Sequence, residues 1–257
     1  MGSEWFRRFA PVGEEHRAGR GGVRLFCFPH AGGAASSFIP LSRELAESVD
    51  VLAAQYPGRQ DRLREEPVAD IGRLADALAD AVLGESGEEP YAFFGHSMGA
   101  VLAYETARRI VRRRVAAPVR LFLSGRGAPA AAPGPRDRLR TDADIIATIR
   151  SLGGTAPKAV EDPELRAMVM PALRADYRAT GAYAWEPGEP LGIPFTVLIG
   201  DSDPVVSVAE ADAWRDFTTA PVRKKVFAGG HFYLDSHIED VARTVSEALG
   251  VQVPVRT

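Results

Sequence analysis

The stretch YAFFGHSMGAVLAYE (91–105) places one serine, Ser97, between glycines two positions to either side. An apolar, strand-like run precedes the serine and a helix-like run follows it. This G-x-S-x-G pattern is typical of a strained strand-to-helix turn that lifts a nucleophilic hydroxyl out of the fold. The same turn puts the amide of Met98 at a helix start, where it can donate to an oxyanion. We therefore predict Ser97 as a nucleophile and the Met98 amide as an oxyanion donor; a glycine-rich turn with a structural serine is the alternative.

A serine hydroxyl needs a general base, and His231 is the candidate among the five histidines. It lies in GGHFYL (229–234), after the last predicted strand, which is the place of the histidine in the chain order of α/β-hydrolases. We interpret His237 as a helix-terminus or surface residue and His16 as a solvated residue. The sequence therefore predicts His231 as the base.

The acid that orients the histidine is expected after the preceding strand, where GDSDPVV (200–206) offers two carboxylates. Asp203 is favoured, because hydrolases of this type commonly carry Gly-x-x-Asp here and Pro204 would hold the turn. Asp201 would then be a loop or capping residue, and it stays open as the alternative.

A second oxyanion donor is expected in the loop after the first strand, which reads FPHAGG (28–33). Its glycines let the backbone approach a substrate, and the amide of Ala31 is the candidate donor. His30 could shape the pocket and contact the substrate, or it could be purely structural.

The elements that must position these residues follow from hydrophobic patterns. Apolar runs that are mostly too short for helices predict strands at 23–28, 49–55, 91–96, 119–125, 194–200 and 222–227. Amphipathic patterns predict helices at 36–48, 70–83, 98–114 and 238–249. Their alternation predicts an α/β fold, with a mostly parallel central sheet and helices on both faces.

Two of the predicted helices carry more detailed expectations. Ser36 or Ser37 is expected to cap the first helix. The helix at 98–114 is expected to bury a stripe that contains Val101, Tyr104, Ala107 and Val111.

The chain is expected to form a single domain over residues 1–257. Between about 130 and 190 no strand pattern occurs, whereas helical patterns cover Asp142–Leu152 and Pro163–Tyr183. We predict that 130–190 is a helical lid subdomain, inserted over the sheet edge where α/β folds bind ligands. Its apolar residues could line an acyl tunnel or simply pack the lid helices on the body. These residues are Ile145, Ile146, Ile149, Leu152, Met168, Val169, Met170, Leu173 and Tyr177.

Composition excludes several classes of protein. The formal net charge of -3 lacks the basic excess of a nucleic-acid binder. The single cysteine, Cys27, excludes a disulfide framework and a cysteine zinc site within the chain. No run approaches the length of a membrane span, and the N-terminal stretch lacks a signal-peptide core. We expect a cytoplasmic protein without metal, bound nucleic acid or membrane.

Several motifs together resemble the type II thioesterases of polyketide and nonribosomal peptide synthesis. They are FPHAGG, YPGRQDR (56–62), FFGHSMGA (93–100), LSGRGAP (123–129), LRADY (173–177) and GGHFYL. The resemblance implies an α/β-hydrolase with a helical lid that hydrolyses acyl thioesters on the phosphopantetheine arm of carrier proteins. The usual role of the family is to clear aberrant or stalled acyl groups from a synthase.

The resemblance also implies specific roles and partners. It assigns Ser97 as nucleophile, His231 as base and Asp203 as acid, with the amides of Met98 and Ala31 as oxyanion donors. It implies acyl or peptidyl carrier proteins as partners and no cofactor, and we expect a monomer.

Three arginines of one loop, Arg59, Arg62 and Arg64, are candidates for contact with the phosphate or the carrier. The alternatives are a carboxylesterase or acyltransferase acting on free esters or acyl-CoA, and a non-catalytic scaffold with a hydrolase fold.

Overall fold

The structure is a computed structural model that describes residues 4–10, 22–130, 134, 137–139, 141–153 and 160–251. His16 lies outside these residues, as do parts of the predicted lid. None of the helices in the described ranges is long and apolar enough to span a bilayer.

The centre of the fold is a seven-stranded sheet with the order β1-β3-β2-β4-β5-β6-β7. All neighbouring strands are parallel except β1 and β3, which are antiparallel. The strands are β1 (Phe6–Arg7), β2 (Val23–Phe28), β3 (Val49–Ala54), β4 (Tyr91–His96), β5 (Leu121–Ser124), β6 (Phe195–Gly200) and β7 (Val222–Phe227). The predicted strands are confirmed, with ends shifted by up to two residues. The sequence did not predict β1, because two residues are too short to show a period.

The α-helices are α1 (Ile39–Leu45), α2 (Ile71–Ser86), α3 (Met98–Arg112), α4 (Asp142–Leu152), α5 (Pro163–Ala182) and α6 (Ile238–Leu249). Short 3₁₀ segments cover Ala35–Phe38, Gln60–Arg62, Glu210–Phe217 and Tyr233–Asp235. All the predicted helices are confirmed, and the first begins as a 3₁₀ turn.

Two details of these helices differ from the prediction. Ser36 and Ser37 lie inside the 3₁₀ turn, and neither that turn nor α1 has a side-chain cap. Val111 is 36% exposed, and Ile110 is buried in its place. The buried face of α3 therefore turns away from Val111 near the end of the helix, because the helical period is 3.6 residues.

Successive strand residues point to opposite faces of the sheet, and both faces are covered. On β2, Phe26 and Phe28 pack in a core with α2 and α3, whereas Leu25 and Cys27 pack in a second core with α1 and α6. Helices on both faces explain why the parallel strands are apolar throughout. The predicted fold class is confirmed.

The carboxyl ends of the parallel strands lie at one edge of the sheet, and the predicted site residues follow them directly. Ser97 follows β4, Asp203 follows β6 and His231 follows β7, while the FPHAGG loop follows β2. Between residues 130 and 190, the described part of the chain contains α4 and α5 and no strand. Side chains from both helices reach this edge, as the cavities below show.

Candidate active site

Ser97 occupies a sharp turn between β4 and α3. Its φ of 56° lies in the left-handed region, which a residue with a side chain adopts only under constraint. Its amide donates to Ser124 O at 2.8 Å, and its carbonyl accepts from Ala100 N at 2.9 Å. These bonds fix the turn, so the hydroxyl faces the sheet edge.

The two glycines of the motif are needed because backbone atoms pass through the space of a Cβ. A Cβ on Gly95 would overlap the carbonyl of Gly99, and a Cβ on Gly99 would overlap Phe28 O. The backbone of α3 therefore approaches β2 and β4 more closely than any side chain would permit.

The Gly99→Ala substitution is expected to lower the free energy of unfolding by about 3 kcal/mol or more, because the clashing atom is a backbone oxygen. Gly84→Ala is the matched control, since no atom lies within 4 Å of its Cβ position in α2. That variant is expected to be more stable than wild type by about 0.5–1 kcal/mol. Urea unfolding of the three proteins checks this; equal losses in both variants would contradict the steric explanation.

His231 and Asp203 form a buried pair next to the turn. His231 Nδ1 lies 2.9 Å from Asp203 Oδ2 and 3.1 Å from Oδ1, and both side chains are almost fully buried. Because a carboxylate only accepts, Nδ1 donates in this pair, and Nε2 is the ring nitrogen that remains available to another partner. The amide of Val205 donates to Asp203 Oδ1 at 2.8 Å and fixes the carboxylate.

Asp201 has a different environment. It is exposed, and its Oδ1 accepts from the amide of Gly229 at 2.9 Å. This bond ties the loop after β6 to the loop after β7, which is a structural task. The structure therefore pairs Asp203, and not Asp201, with the histidine.

Two backbone amides of residues that line the same cavity as Ser97 and His231 have no partner among the described residues. Neither Ala31 N nor Met98 N donates a hydrogen bond within the described residues. Met98 is the first residue of α3, so its amide also carries the positive end of the helix dipole. The two amides are available for an oxyanion.

Two small cavities of about 30 Å³ each join these groups. Ser97, His231, Ala31, Leu152 and Tyr177 line both cavities. Ser97 and His231 make no direct hydrogen bond in the described part of the chain. Such catalytic bonds often close only when substrate is bound.

Two larger cavities adjoin the small ones. A cavity of about 450 Å³ shares Arg126, Asp137 and Val205 with one of them, and one of about 380 Å³ shares His30 and Phe232 with the other. Each small cavity thus shares part of its wall with a larger one.

His96 lies beside His231, with ring centroids 4.9 Å apart. Its Nδ1 is 2.9 Å from Ser124 Oγ, which in turn lies 2.6 Å from the hydroxyl of Tyr233. Burial, and secondarily the nearby rings of His231 and His30, hold the pKa of His96 well below its usual 6.5. The same kinds of cause lower the pKa of His30 to about 3. Both rings are therefore neutral at pH 7.

The neutral ring of His96 predicts a stability loss in mild acid. The unfolded chain protonates this histidine below about pH 6.5 and the native state does not, so the unfolded state binds more protons. Lowering the pH from 7 to 5 should remove about 2 kcal/mol of stability through this residue. The free energy of unfolding of His96→Gln should fall by about 2 kcal/mol less than that of wild type over the same pH range. Urea unfolding of both proteins at pH 7 and pH 5 measures this difference. Parallel losses in the two proteins would contradict the prediction.

The predicted substrate-binding residues differ in whether they line the cavities at Ser97. His30 and Tyr177 line a cavity at Ser97, and their binding of substrate stays a prediction. Met168 is 49% exposed and lines none of the cavities described above. It lies two residues, or about 200°, before Met170 on α5, and Met170 is on the buried face. Its expected place in an acyl tunnel is corrected.

The expectation for the arginine loop is also corrected. Arg59 is buried, and its charge is already paired with the carboxylate of Asp176. Arg62 is buried as well and binds Glu65 and the carbonyl of Gln55. Arg64 is the exposed member of the three.

Sequence reasoning missed the buried polar residues that form hydrogen bonds to the residues and loops around the site. Among them are Gln55, Ser124, Asp176 and Tyr233. YPGRQDR and LRADY were recognised as motifs, but their letters do not show that Arg59 and Asp176 meet. No group of three or more metal-ligating side chains occurs among the described residues. Cys27 is a buried free thiol, and burial raises its pKa well above the usual value.

A family model described as the thioesterase domain matches residues 23–249. The chain belongs to the thioesterase family. The match begins at β2 and ends at the last residue of α6, so it includes every element of this thioesterase that positions the site.

Individual relatives agree with the family model. This thioesterase is 44% identical over 247 residues to the probable cadicidin biosynthesis thioesterase of Streptomyces griseus, covering 96% of this chain and 66% of that protein. It is 41% identical over 245 residues to the thioesterase PikA5 of Streptomyces venezuelae, covering 95% and 85%. The solved structure of the type II thioesterase BorB, from the borrelidin biosynthetic cluster, matches with a TM-score of 0.86 at 41% identity, covering 97% of this chain and 99% of that one. The resemblance to type II thioesterases is confirmed, and the protein is a thioester hydrolase.

Proposed function

We propose that this thioesterase hydrolyses acyl thioesters carried on the phosphopantetheine arm of carrier proteins, and so removes aberrant or stalled acyl groups from a polyketide or nonribosomal peptide synthase. The observation that carries the proposal is the His231–Asp203 pair beside the strained Ser97, in a site with two unpartnered amides. The printed names of the relatives support the pathway class.

In the first half of the reaction, Nε2 of His231 takes the proton of Ser97 as the hydroxyl attacks the thioester carbonyl. The amides of Ala31 and Met98 stabilise the oxyanion that forms. Asp203 stabilises the imidazolium through Nδ1. When the tetrahedral intermediate collapses, the carbon–sulfur bond breaks, and the pantetheine sulfur leaves with the proton from His231.

In the second half, a water molecule attacks the acyl-serine. His231 takes a proton from the water, the same amides hold the second oxyanion, and Ser97 recovers its proton as the free acid leaves. The proposed route uses only side chains, backbone amides and water.

The surroundings of Ser97 suit a thioester with long substituents on both sides. We propose that residues 130–190 form a lid subdomain within a single domain of residues 1–257, because α4 and α5 supply Ile149, Leu152 and Tyr177 to the cavity walls. The cavities of about 450 and 380 Å³ would take the acyl chain and the pantetheine arm, one on each side. The proposal includes a cytoplasmic location and a monomeric enzyme that meets its carrier protein transiently.

A panel of acyl groups on one phosphopantetheinylated carrier protein, read by mass spectrometry, tests the proposal. The carrier-bound thioesters should be hydrolysed with a higher kcat/KM than a p-nitrophenyl ester or acyl-CoA of the same acyl chain. Rapid ester hydrolysis with inert carrier-bound thioesters would overturn the proposal in favour of a carboxylesterase. Preference for acyl-CoA would point to an enzyme of free acyl-CoA.

A further inference from the structure

A buried ion pair joins helix α5 to the loop after β3. The guanidinium of Arg59 donates from Nη1 to Asp176 Oδ2 at 2.8 Å and from Nη2 to Oδ1 at 2.9 Å. The side chain of Asp176 is fully buried and that of Arg59 is 7% exposed. The pair lies outside the proposed set of reacting groups.

Both partners also bind the turn that carries the proposed oxyanion donor. Asp176 Oδ2 accepts from the amide of Gly32 at 2.7 Å, and Arg59 Nη1 donates to the carbonyl of Gly33 at 2.9 Å. One carboxylate and one guanidinium therefore hold consecutive residues of FPHAGG. The neighbouring Tyr56 supports the same loop through a bond to Pro29 O at 3.2 Å.

The conformation of this turn depends on those bonds. Gly33 N donates to His30 O at 2.9 Å, and Gly32 has a φ of 76°. A turn closed in this way with a positive φ at its third residue is type II, and the related type I turn differs by a flip of the central peptide. Here the central peptide joins Ala31 to Gly32. Flipping it would turn the Gly32 N–H away from Asp176 and leave a buried carboxylate oxygen with one bond fewer.

The helix α5 also packs directly on this turn. A Cβ on Gly32 would lie 2.3 Å from Cδ2 of Leu173, so the backbone of the turn packs directly against this side chain of the helix. Leu173 and Asp176 are three residues apart and lie on the same face of α5. The helix thus contacts the turn through one apolar and one charged side chain.

Burying two charges is expensive, and such a pair often contributes little net stability compared with apolar residues of similar size. The bonds from each charge to the turn give it another role. We propose that Asp176 and Arg59 are positioning residues, which hold the turn 30–33 in one conformation and one place, and so keep the amide of Ala31, the second residue of that turn, directed at the oxyanion. The inference rests on the proposed function, since it takes the Ala31 amide as a donor.

This arrangement makes the oxyanion site depend on α5. A displacement of α5 would remove the acceptor of the Gly32 amide and release the turn. The helix that helps to wall the cavities therefore also completes the catalytic geometry.

Three variants and one control test the inference. Asp176→Ala should lower kcat on the order of 10²-fold with little change in KM, as expected for an impaired oxyanion donor. Asp176→Asn should fall between this variant and wild type, because its amide oxygen can still accept from Gly32. The double variant Arg59→Met/Asp176→Leu removes both charges, so it should keep a Tm near that of wild type yet lose kcat like Asp176→Ala. Arg174→Met removes an exposed ion pair of the same helix and should leave kcat unchanged.

Inhibitor binding separates positioning from general damage. An acyl trifluoromethyl ketone forms an oxyanion at Ser97, so its Ki should rise in proportion to the loss of kcat/KM. An acyl-pantetheine thioether has no carbonyl to form an oxyanion, so its Kd should change by less than about threefold. Near-wild-type kcat in the folded double variant, or equal weakening of both inhibitors, would overturn the inference.

Failure of this inference can be told from failure of the proposed function. A p-nitrophenyl ester passes through the same oxyanion, so the variants measured on it decide the role of Asp176 even if carrier-bound thioesters prove inert. If wild type hydrolyses those thioesters while all Asp176 variants match it, the inference alone is wrong.

Discussion

Replacing Ser97 with alanine is expected to lower kcat on the order of 10⁴- to 10⁶-fold, because it removes the nucleophile that forms the acyl-serine, and without that intermediate neither half-reaction can proceed. The remaining activity would come from the oxyanion amides and substrate binding. Ser97 has a φ of 56°, which alanine tolerates about as well as serine does, and its hydroxyl makes no hydrogen bond within the described structure. The variant should therefore fold with little change in stability.

Hydrolysis of a carrier-bound thioester, followed by mass spectrometry, measures this effect. Ser246→Ala is the matched control: this buried serine of α6 binds the carbonyl of Ala242 at 2.9 Å, far along the chain from the site. It should keep wild-type kcat. A Ser97→Ala protein that retained even a tenth of the wild-type rate would rule out the serine as nucleophile.

The two acids of GDSDP provide the second large effect. Asp203→Asn is expected to lower kcat on the order of 10⁴-fold, because an amide can present its NH₂ to Nδ1 and so favour the wrong tautomer of His231. Asp201→Asn should lower kcat by less than about threefold, since the amide oxygen can still accept from Gly229 N and surface changes are usually mild. The two variants make the same change, aspartate to asparagine, two positions apart in one loop, so each is the control for the other.

Steady-state kinetics of both variants on one thioester give the comparison, with circular dichroism to confirm folding. The sequence left both acids open, and the structure places Asp203 Oδ2 2.9 Å from His231 Nδ1. A larger loss in Asp201→Asn than in Asp203→Asn would reverse the assignment and imply that the loop rearranges when substrate binds.

The arginine of YPGR has different contacts in the structure from those that the sequence predicts. In the sequence, Arg59 lies in a polar loop, and we predicted that it contacts a phosphate or the carrier. In the structure it is buried, and it binds Asp176 and the Gly33 carbonyl instead. The YPGR motif, which was predicted to contact a partner, therefore binds the FPHAGG turn instead.

The fold was predictable from the sequence because its signals are local. Strands such as 91–96 are short and apolar on both faces, and helices such as α2 repeat apolar residues at helical spacing. Both patterns follow from which side chains must be buried. They can therefore be recognised in the sequence before the neighbouring elements are known. The strand β1 carries no such signal, because it is two residues long and is held only by its pairing with β3.

The candidate catalytic residues could also be located from the sequence, because each belongs to a motif with a local steric or chemical reason. Gly95 and Gly99 mark the turn of Ser97, and the order of strands places Asp203 and His231 after it. Met168 was placed wrongly because a helix with apolar residues on several sides does not reveal which face is buried until its neighbours are known.

By itself, the sequence determined an α/β fold and a likeness to type II thioesterases, and it located a candidate nucleophilic serine with a candidate histidine base after it. Only the tertiary structure paired Asp203 with His231 and brought Arg59 and Asp176, which are 117 positions apart, onto the same turn. The physical reason is that a motif reports the constraints a residue places on its own backbone and near neighbours. Contacts across the fold depend on how strands and helices stack, and a buried carboxylate in a helix looks the same in sequence as a solvated one.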